Sequence, residues 1–295
     1  MKALFDEFRR SLKRPESEEW VDLYIYRPLG FLVVKAVYRT NITPNQLSLF
    51  SMALGVLAGA CFGLGRPGGL SVAALLLFLS IIVDCSDGQL ARLKQSGTPL
   101  GRLIDGLADY VVGAAIYLGL AVGFGHDLKQ ILLWWLLIAA AAASNSFHSL
   151  VFDYYRNRYL DAVNGPVASG GDELATFREE LDLARKQKGT MFRRLFLRTY
   201  IGYSLIQKRL TPGRPKSRAP RPASAEDFLK KNRGALRLWS LLGSSTQGTI
   251  LIVAALVGRL DIYFWGMIVV RNVLAVVMFV VQNRIDRALA AEPAS

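Results

Sequence analysis

Four aspartates lie beside or within stretches that are otherwise long and apolar, and this placement constrains the chain more than any other feature. Asp84 and Asp87 follow an uncharged run over residues 70–83, and Asp105 and Asp109 open a second apolar stretch. An ionisable side chain in a membrane helix is costly, so its presence indicates a functional site. Residues three or four apart share one face of a helix. Each pair of aspartates is therefore predicted to face one side of its helix.

The two predicted helices would turn these faces toward each other across a short link at residues 95–99. Four carboxylates in a small volume repel one another unless cations lie between them. Oxygen ligands without nearby Cys or His favour Mg²⁺, Mn²⁺ or Ca²⁺ over zinc, and two metals bridged by carboxylates suit phosphoryl transfer. Salt bridges to Arg92 and Arg102 are the structural alternative. Two arginines cannot neutralise four aspartates, however, so this alternative leaves buried charge unpaired.

Gly88 and Arg92 extend the predicted site beyond the aspartates. Gly88 directly follows Asp87, and the missing side chain lets a ligand approach the backbone closely. Arg92 carries a planar cationic fork that suits a phosphate group. Both residues therefore favour a phosphate-containing ligand beside the metals.

The complete pattern, D-x-x-D-G-x-x-A-R-x(8)-G-x-x-x-D-x-x-x-D, covers residues 84–109. It resembles the signature of the CDP-alcohol phosphotransferases, also called CDP-alcohol phosphatidyltransferases, and every fixed position is matched. The resemblance implies an integral membrane enzyme that cleaves the pyrophosphate of a CDP-linked donor. The phosphoryl-alcohol moiety passes to a hydroxyl acceptor, and CMP leaves.

The resemblance also implies roles for the matched aspartates. Asp84, Asp87 and Asp105 would bind divalent cations in a two-metal site, with Mg²⁺ or Mn²⁺ as the cofactor. Asp109 would be the general base on the acceptor hydroxyl and would also touch the second metal.

Contacts with the CDP portion of the donor are implied for four further residues, Asn45, Gly88, Arg92 and Thr98. Asn45 lies in the stretch N-I-T-P-N-Q-L, which resembles the family segment that opens the first membrane helix. For Asn45 a structural role is an equal alternative, because a residue after Pro44 also suits a helix start.

Six apolar stretches approach the length of about 20 residues that a transmembrane helix needs. They cover residues 46–64, 70–93, 100–124, 130–154, 241–257 and 262–281. The predicted fold is an all-α bundle of six transmembrane helices, with an N-terminal interfacial helix and a cytoplasmic insert between spans four and five.

The basic residues predict the orientation of this bundle. Residues 1–44 contain eight Lys and Arg, and residues 155–239 contain nineteen, whereas the three predicted outer loops contain three together. Such residues concentrate on the cytoplasmic side. Both termini and the aspartates are therefore expected at the cytoplasmic face of a multi-pass protein, in the cytoplasmic (inner) membrane.

The chain is expected to consist of four parts. A cytoplasmic amphipathic segment (1–44) precedes spans one to four with the motif (45–154). A basic cytoplasmic insert (155–239) is followed by spans five and six and a cytoplasmic tail (240–295). Within the first part, residues 18–39 interleave aromatic and basic side chains, which is typical of a helix at the membrane surface. Packing on the bundle is the alternative for this helix.

The insert contains two predicted helices, over residues 172–188 and 191–210, and a Pro- and Arg-rich connector over residues 211–224. Arginines interleaved with aromatics also occur in nucleic-acid binders. Attachment to a bilayer with anionic lipids explains them more simply, so the expected partner is the lipid bilayer and not a nucleic acid.

Two polar residues within predicted spans allow alternative roles. Arg271 either faces the cavity and meets a phosphate or polar acceptor, or forms a salt bridge, for example with a motif aspartate. His148 either lines the acceptor pocket or is a satisfied polar residue of the bundle. Neither choice follows from the sequence alone.

Two donors are compatible with the motif. CDP-diacylglycerol, used in phospholipid biosynthesis, is the first expectation. A CDP-linked polar alcohol of the inositol or aminoalcohol type, transferred to a diacylglycerol or polyol, is the alternative. An acidic membrane cluster is also compatible with a divalent-cation transporter, although no second copy of the motif is present. The family resemblance implies a homodimer.

Overall fold

The computed structural model describes residues 2–124, 131–164, 171–186, 194, 197–198, 201–202 and 222–290. Over these residues the protein is helical and contains no strand. The all-α class predicted from the apolar stretches is confirmed for this part of the chain.

The long helices are α1 (Lys2–Ser11), α2 (Arg27–Val37), α3 (Pro44–Phe62), α4 (Pro67–Leu93), α5 (Pro99–Phe124), α6 (Ile131–Asn164), α7 (Gly171–Lys186), α8 (Pro222–Trp239), α9 (Ser244–Val257), α10 (Leu260–Trp265) and α11 (Arg271–Ala290). Short 3₁₀ turns cover Pro15–Ser17 and Ser240–Leu242, and π turns cover Asp22–Tyr26 and Gly266–Val270.

Prolines mark the starts of the three helices α3, α4 and α5, as also of α8. Pro44, Pro67 and Pro99 are the first residues of α3, α4 and α5, where a missing N–H loses no helical partner. At α3 a capping box strengthens this signal. The hydroxyl of Thr43 accepts a hydrogen bond from the backbone N–H of Gln46, whose side chain accepts one from the N–H of Thr43. These local signals place the start of α3 two residues before the predicted one.

The predicted interfacial helix over residues 18–39 is close to the observed one. The backbone is helical from residue 20 to residue 37, with the π turn Asp22–Tyr26 in its middle. Pro28 follows this turn. It has no N–H, and its ring crowds the carbonyl of the preceding turn, which favours a wider helical turn at that point.

In the part of the chain that the structure describes, five helical stretches are long and apolar enough to cross a membrane, Pro44–Phe62, Pro67–Leu93, Ile104–Phe124, Ile131–Val163 and Leu260–Leu289. The protein is an integral membrane protein. The same part of the chain supplies a sixth crossing if the bent pair Glu226–Leu242 and Ser244–Val257 acts as one span.

The fifth predicted span, over residues 241–257, needs correction. Its apolar helix, α9, has 14 residues and begins at Ser244, so it is shorter than a full crossing. Helix α8 and the 3₁₀ turn Ser240–Leu242 precede it and end before Gly243. The extended backbone of Gly243 (φ −72°, ψ 167°) separates this helical stretch from α9. The two helices meet there at 40°.

The chain forms two compact units, Met1–Asn157 with Lys231–Ser295, and Arg158–Lys230. In the second unit, α7 begins one residue before the helix predicted from residue 172. The predicted helix over 191–210 and the connector over 211–224 lie largely outside the described residues. The division into four functional parts stays a prediction.

Small residues allow α3 to lie very close to α5. Gly59 contacts Gly119 backbone to backbone, and Gly55 faces Val112. Close contact between small residues is a main source of helix association in a bilayer. Since α3 also packs along α4, it holds the two helices that carry the four aspartates in a fixed arrangement.

We expect Gly119→Ala to destabilise the bundle by about 1–3 kcal/mol, the usual effect of overpacking. The added Cβ would overlap the backbone carbonyl of Gly59, which cannot swing away. Gly113→Ala is the matched control, because a Cβ at Gly113 of the same helix meets nothing within 4 Å. The thermal unfolding midpoint in detergent should fall for Gly119→Ala only. Equal midpoints for the two variants would show that the close approach of α3 and α5 is wrong.

Candidate active site

Helices α4 and α5 bring the motif aspartates together. One carboxylate oxygen from each of Asp84, Asp87 and Asp105 lies within 4.8 Å of the others. Cation–oxygen bonds of about 2.0–2.6 Å place two ligands of one ion no more than about 4–5 Å apart. The donor set and its spacing therefore fit Mg²⁺, Mn²⁺ or Ca²⁺, and the metal-binding role of the three residues is chemically consistent.

Asp109 lies beside this cluster in the same cavity. The cavity has a volume of about 210 Å³. Its lining consists of Lys13, Ser17, Glu18, Glu19, Asp22, Arg27, Asp84, Cys85, Asp87, Gly88, Arg92, Asp105, Asp109, Asp153, Arg156, Ser244 and Ser245. Acidic side chains outnumber basic ones in this lining. A negative excess in a confined space favours bound cations.

A side chain from α3 orients one of the aspartates. The buried Ser48 donates its hydroxyl hydrogen to the carboxylate of Asp87. Asp87 is itself buried, so this bond fixes the direction in which its remaining lone pairs point. Helix α3, which packs closely on α5, thus also positions a side chain of the site through a hydrogen bond.

Arg92 lines the cavity with part of its guanidinium group uncommitted. Its Nε donates to the backbone carbonyl of Ser11. Its Nη2 is buried and has no hydrogen-bond partner among the described residues. Gly88 lies one turn away, and a Cβ there would touch the Arg92 guanidinium at 3.4 Å. The Arg92 guanidinium therefore retains an N–H donor for an anionic ligand, at the place where the missing side chain of Gly88 leaves room.

Asn45 and Thr98 lie outside the cavity lining. Both side chains border Gly101, and the Thr98 hydroxyl accepts a hydrogen bond of 3.0 Å from the Gly101 N–H. For Thr98 this bond supports the start of α5, and for Asn45 the position at the start of α3 agrees with the helix-start alternative. Their contact with CDP stays a prediction.

The N-terminal segment contributes a wall of the cavity that the sequence analysis did not predict. Arg27 is the centre of this wall. Its guanidinium pairs with Glu18 at 3.1 Å and donates to the carbonyl of Cys85 at 3.0 Å. The available signal was the acidic run over residues 16–22, which contains four acids and no basic residue. Only the fold shows that three of these acids lie at the site.

Glu19 occupies the N-terminus of α9. Its carboxylate accepts hydrogen bonds from the backbone N–H of Ser245 and from the N–H and hydroxyl of Thr246, at 2.8–3.2 Å. Burial and, to a smaller extent, the neighbouring Asp22 carboxylate together raise the pKa of Glu19 to about 8, although the bonds from Thr246 and Ser245 act in the opposite direction. The first turn of α9 supplies the donors that a charged capping group needs.

Two basic residues outside the motif also face the cavity. Burial lowers the pKa of Lys13, and the charges of Arg156 and Arg27 lower it further. Arg156 is paired with Asp153 on the same helix at 2.9 Å. Cationic side chains that lie close together repel one another, and a bound anionic group reduces this repulsion.

Neither alternative proposed for Arg271 is observed. Its guanidinium donates to the carbonyl of Gly243 at 3.0 Å and contacts the sulfur of Met267 at 3.2 Å, and the residue does not line the cavity. His148 agrees with the structural alternative. It is fully buried and bonded to Asn272 at 3.1 Å, away from the cavity.

We expect Asp84→Asn to weaken Mn²⁺ binding at least about tenfold, a loss of 1.4 kcal/mol or more. The substitution replaces one of three convergent anionic oxygen ligands by a neutral amide, which attracts a divalent cation less strongly. Asp261→Asn is the control, since Asp261 is paired with Arg259 on the exposed surface. Electron paramagnetic resonance of Mn²⁺ titrated into purified protein measures both. Unchanged binding by Asp84→Asn would exclude this cluster as the metal site.

The arrangement can be compared with known proteins. Residues 41–169 match the CDP-alcohol phosphatidyltransferase family. The chain is 38% identical over 86 residues to a bifunctional IPC transferase and DIPP synthase of Rubrobacter xylanophilus, covering 29% of this chain and 19% of that protein. It is 32% identical over 103 residues to a phosphatidylinositol phosphate synthase of Corynebacterium glutamicum, covering 34% and 46%.

A third relative is an archaetidylinositol phosphate synthase of Pyrococcus horikoshii, 30% identical over 89 residues, with 30% of this chain and 46% of that protein covered. The matches thus span less than half of each of these relatives. The matched family region contains the whole aspartate motif, and the resemblance carried by that motif is confirmed. Over residues 41–169 the chain is thus similar to the CDP-alcohol phosphatidyltransferases.

Proposed function

We propose that this protein transfers a substituted phosphate group from a CDP-linked donor to a hydroxyl acceptor and releases CMP. The observation that carries the proposal is the convergence of Asp84, Asp87 and Asp105 in a cavity that also contains Asp109 and the uncommitted donor of Arg92. This combination supplies metal ligands, a proton acceptor and a phosphate-binding group at one place.

For the substrates, we propose a CDP-linked polar alcohol of the inositol type as donor and a polyol or diacylglycerol as acceptor. Two of the relatives named above carry an inositol phosphate in their names. The cavity lining supports the same choice, because nearly all of its side chains are polar or charged. These observations favour the polar-alcohol alternative over the first expectation, a CDP-diacylglycerol donor.

The proposed step is an in-line displacement at the phosphorus atom that bears the alcohol. The acceptor oxygen forms a new bond to phosphorus, and the bond between that phosphorus and the bridging pyrophosphate oxygen breaks. CMP leaves with the electron pair. Asp109 accepts the proton of the acceptor hydroxyl, so the charges balance.

The chain's own residues would prepare this step. Asp84, Asp87 and Asp105 would hold divalent metal, Mg²⁺ or Mn²⁺, which when bound neutralises phosphate charge and polarises the phosphoryl oxygens. Arg92 would donate to a donor phosphate oxygen through its free Nη2, and Gly88 leaves space for that oxygen. Ser48 would keep the Asp87 carboxylate in one orientation.

The orientation of the protein is part of the proposal. Soluble CDP compounds, CMP and Mg²⁺ are available in the cytoplasm, and the basic segments before α3 and after α6 favour that side for the cavity. We therefore propose that both termini and the cavity face the cytoplasm. The homodimer stays a prediction.

The function is tested by offering the purified protein two donors, CDP-inositol and CDP-diacylglycerol, each with inositol, inositol phosphate, diacylglycerol or water. Products are identified by mass spectrometry with Mg²⁺ or Mn²⁺ present. We expect metal-dependent CMP release with CDP-inositol and at least one of the alcohol acceptors. Product formation from CDP-diacylglycerol alone would reverse the donor assignment. Absence of CMP from every pair, in protein that still binds Mn²⁺, would contradict the proposed reaction.

Asp109→Asn should lower turnover by about 10²–10⁴-fold, the usual contribution of a general base. Mn²⁺ binding should remain, because the three aspartates that lie within 4.8 Å of one another are intact. Single-turnover CMP release measures the first effect, and Mn²⁺ titration measures the second. A loss of Mn²⁺ binding as severe as that of Asp84→Asn would make Asp109 chiefly a metal ligand.

A further inference from the structure

The residues between α1 and α2 cross the cavity and form part of its wall. We call residues 12–26 the N-terminal strap. It supplies five lining residues, Lys13, Ser17, Glu18, Glu19 and Asp22. The strap thus forms part of the wall of the same cavity that the aspartates of α4 and α5 line.

Both ends of the strap are firmly attached. Before it, Ser11 is fully buried and is bonded to Gln89 through its hydroxyl and to Arg92 through its carbonyl. At its other end, Tyr26 is 1% exposed and forms a 2.8 Å hydrogen bond with Thr249. The two ends can therefore serve as fixed points while the residues between them move.

Polar contacts hold the middle of the strap, with a smaller contribution from Val21, which packs against the buried cluster of Tyr26, Ile82 and Cys85. Between residues 12 and 25, the buried side chains are Ser17 and three acids, Glu18, Glu19 and Asp22. The large apolar side chains point outward, with Trp20 43% and Tyr24 66% exposed. Segments with little buried apolar surface open most readily in native proteins.

Among these polar contacts, Glu19 makes the buried attachment to a distant helix. Its carboxylate receives all three bonds from the first turn of α9, which has no side-chain cap of its own. By contrast, the Glu18 carboxylate bonds to the N–H of Lys13 and to Arg27 at the start of α2, and its carbonyl accepts a long hydrogen bond of 3.4 Å from Arg237 of α8.

We propose that the N-terminal strap is a movable wall of the cavity and that Glu19 is the latch that holds it closed on α9. When the carboxylate leaves the first turn of α9, the middle of the strap moves away between its fixed ends and the cavity opens for exchange of ligands. When it returns, the cavity closes. The latch is independent of which alcohol is transferred.

Gly243 offers a second way to open the latch without changing Glu19. A Cβ at Gly243 would overlap the Glu19 carboxylate. Its backbone angles, φ −72° and ψ 167°, are ones that alanine adopts without strain. Gly243→Ala should therefore expel the carboxylate and leave the backbone course unchanged.

The test introduces Ser17→Cys as a reporter, since Ser17 lines the cavity and is 4% exposed. The rate of N-ethylmaleimide labelling at residue 17 is followed by peptide mass spectrometry in purified protein. Glu19→Ala and Gly243→Ala should each raise this rate at least about tenfold. Labelling at Cys61 of α3, measured in the same digest, should stay constant because the bundle remains folded.

Glu16→Ala is the matched control, because Glu16 lies on the strap but forms an exposed pair with Arg233 at 3.5 Å, an interaction that contributes little. It should change the rate less than about twofold. Parent-like labelling in both Glu19→Ala and Gly243→Ala would overturn the latch. So would an equal acceleration by Glu16→Ala, or a parallel rise at Cys61. Because the readout does not involve catalysis, its failure leaves the proposed reaction untouched.

Discussion

The mutual repulsion of carboxylates is the constraint on which the rest of this structure depends. Asp84, Asp87 and Asp105 place oxygens within 4.8 Å of one another, a spacing that is unfavourable without a cation between them. A loosely packed bundle would relax by moving the helices apart. The glycine contacts between α3 and α5 prevent this, since they fix helix positions by backbone contact. The close packing of the helices thus keeps the three carboxylates at a spacing that suits a divalent cation.

The motif could be predicted from the sequence because its geometry is local. Spacings of three and four residues place Asp84 and Asp87, and Asp105 and Asp109, on common faces whatever surrounds them. The apolar pattern of α3 and the charge pattern of α7 are local as well, and the bounds of both helices were predicted within two residues. The length and apolarity of the sequence stretches were sufficient to predict the four spans before residue 164.

What could not be predicted depends on contacts between distant residues. The bond from Ser245 to Glu19 joins positions 226 residues apart, and no pattern in either segment points to the other. The wall formed by the N-terminal segment was missed for this reason, although its amphipathic helix was predicted. The break at Gly243 was also missed. The average apolarity of a stretch of about 20 residues does not show that one residue within it has an extended backbone.

The break at Gly243 explains the buried arginine. Interrupting a helix near the bilayer exposes carbonyls on one side and N–H groups on the other, and each needs a partner. Arg271 donates to the carbonyl of Gly243, while Glu19 accepts from the N–H groups of Ser245 and Thr246. Two side chains from distant parts of the sequence thus satisfy the two sides of one bend, Arg271 as a donor and Glu19 as an acceptor. Arg271 thereby supports the helix end on which Glu19 rests, and the membrane bundle and the N-terminal wall of the cavity meet at this bend.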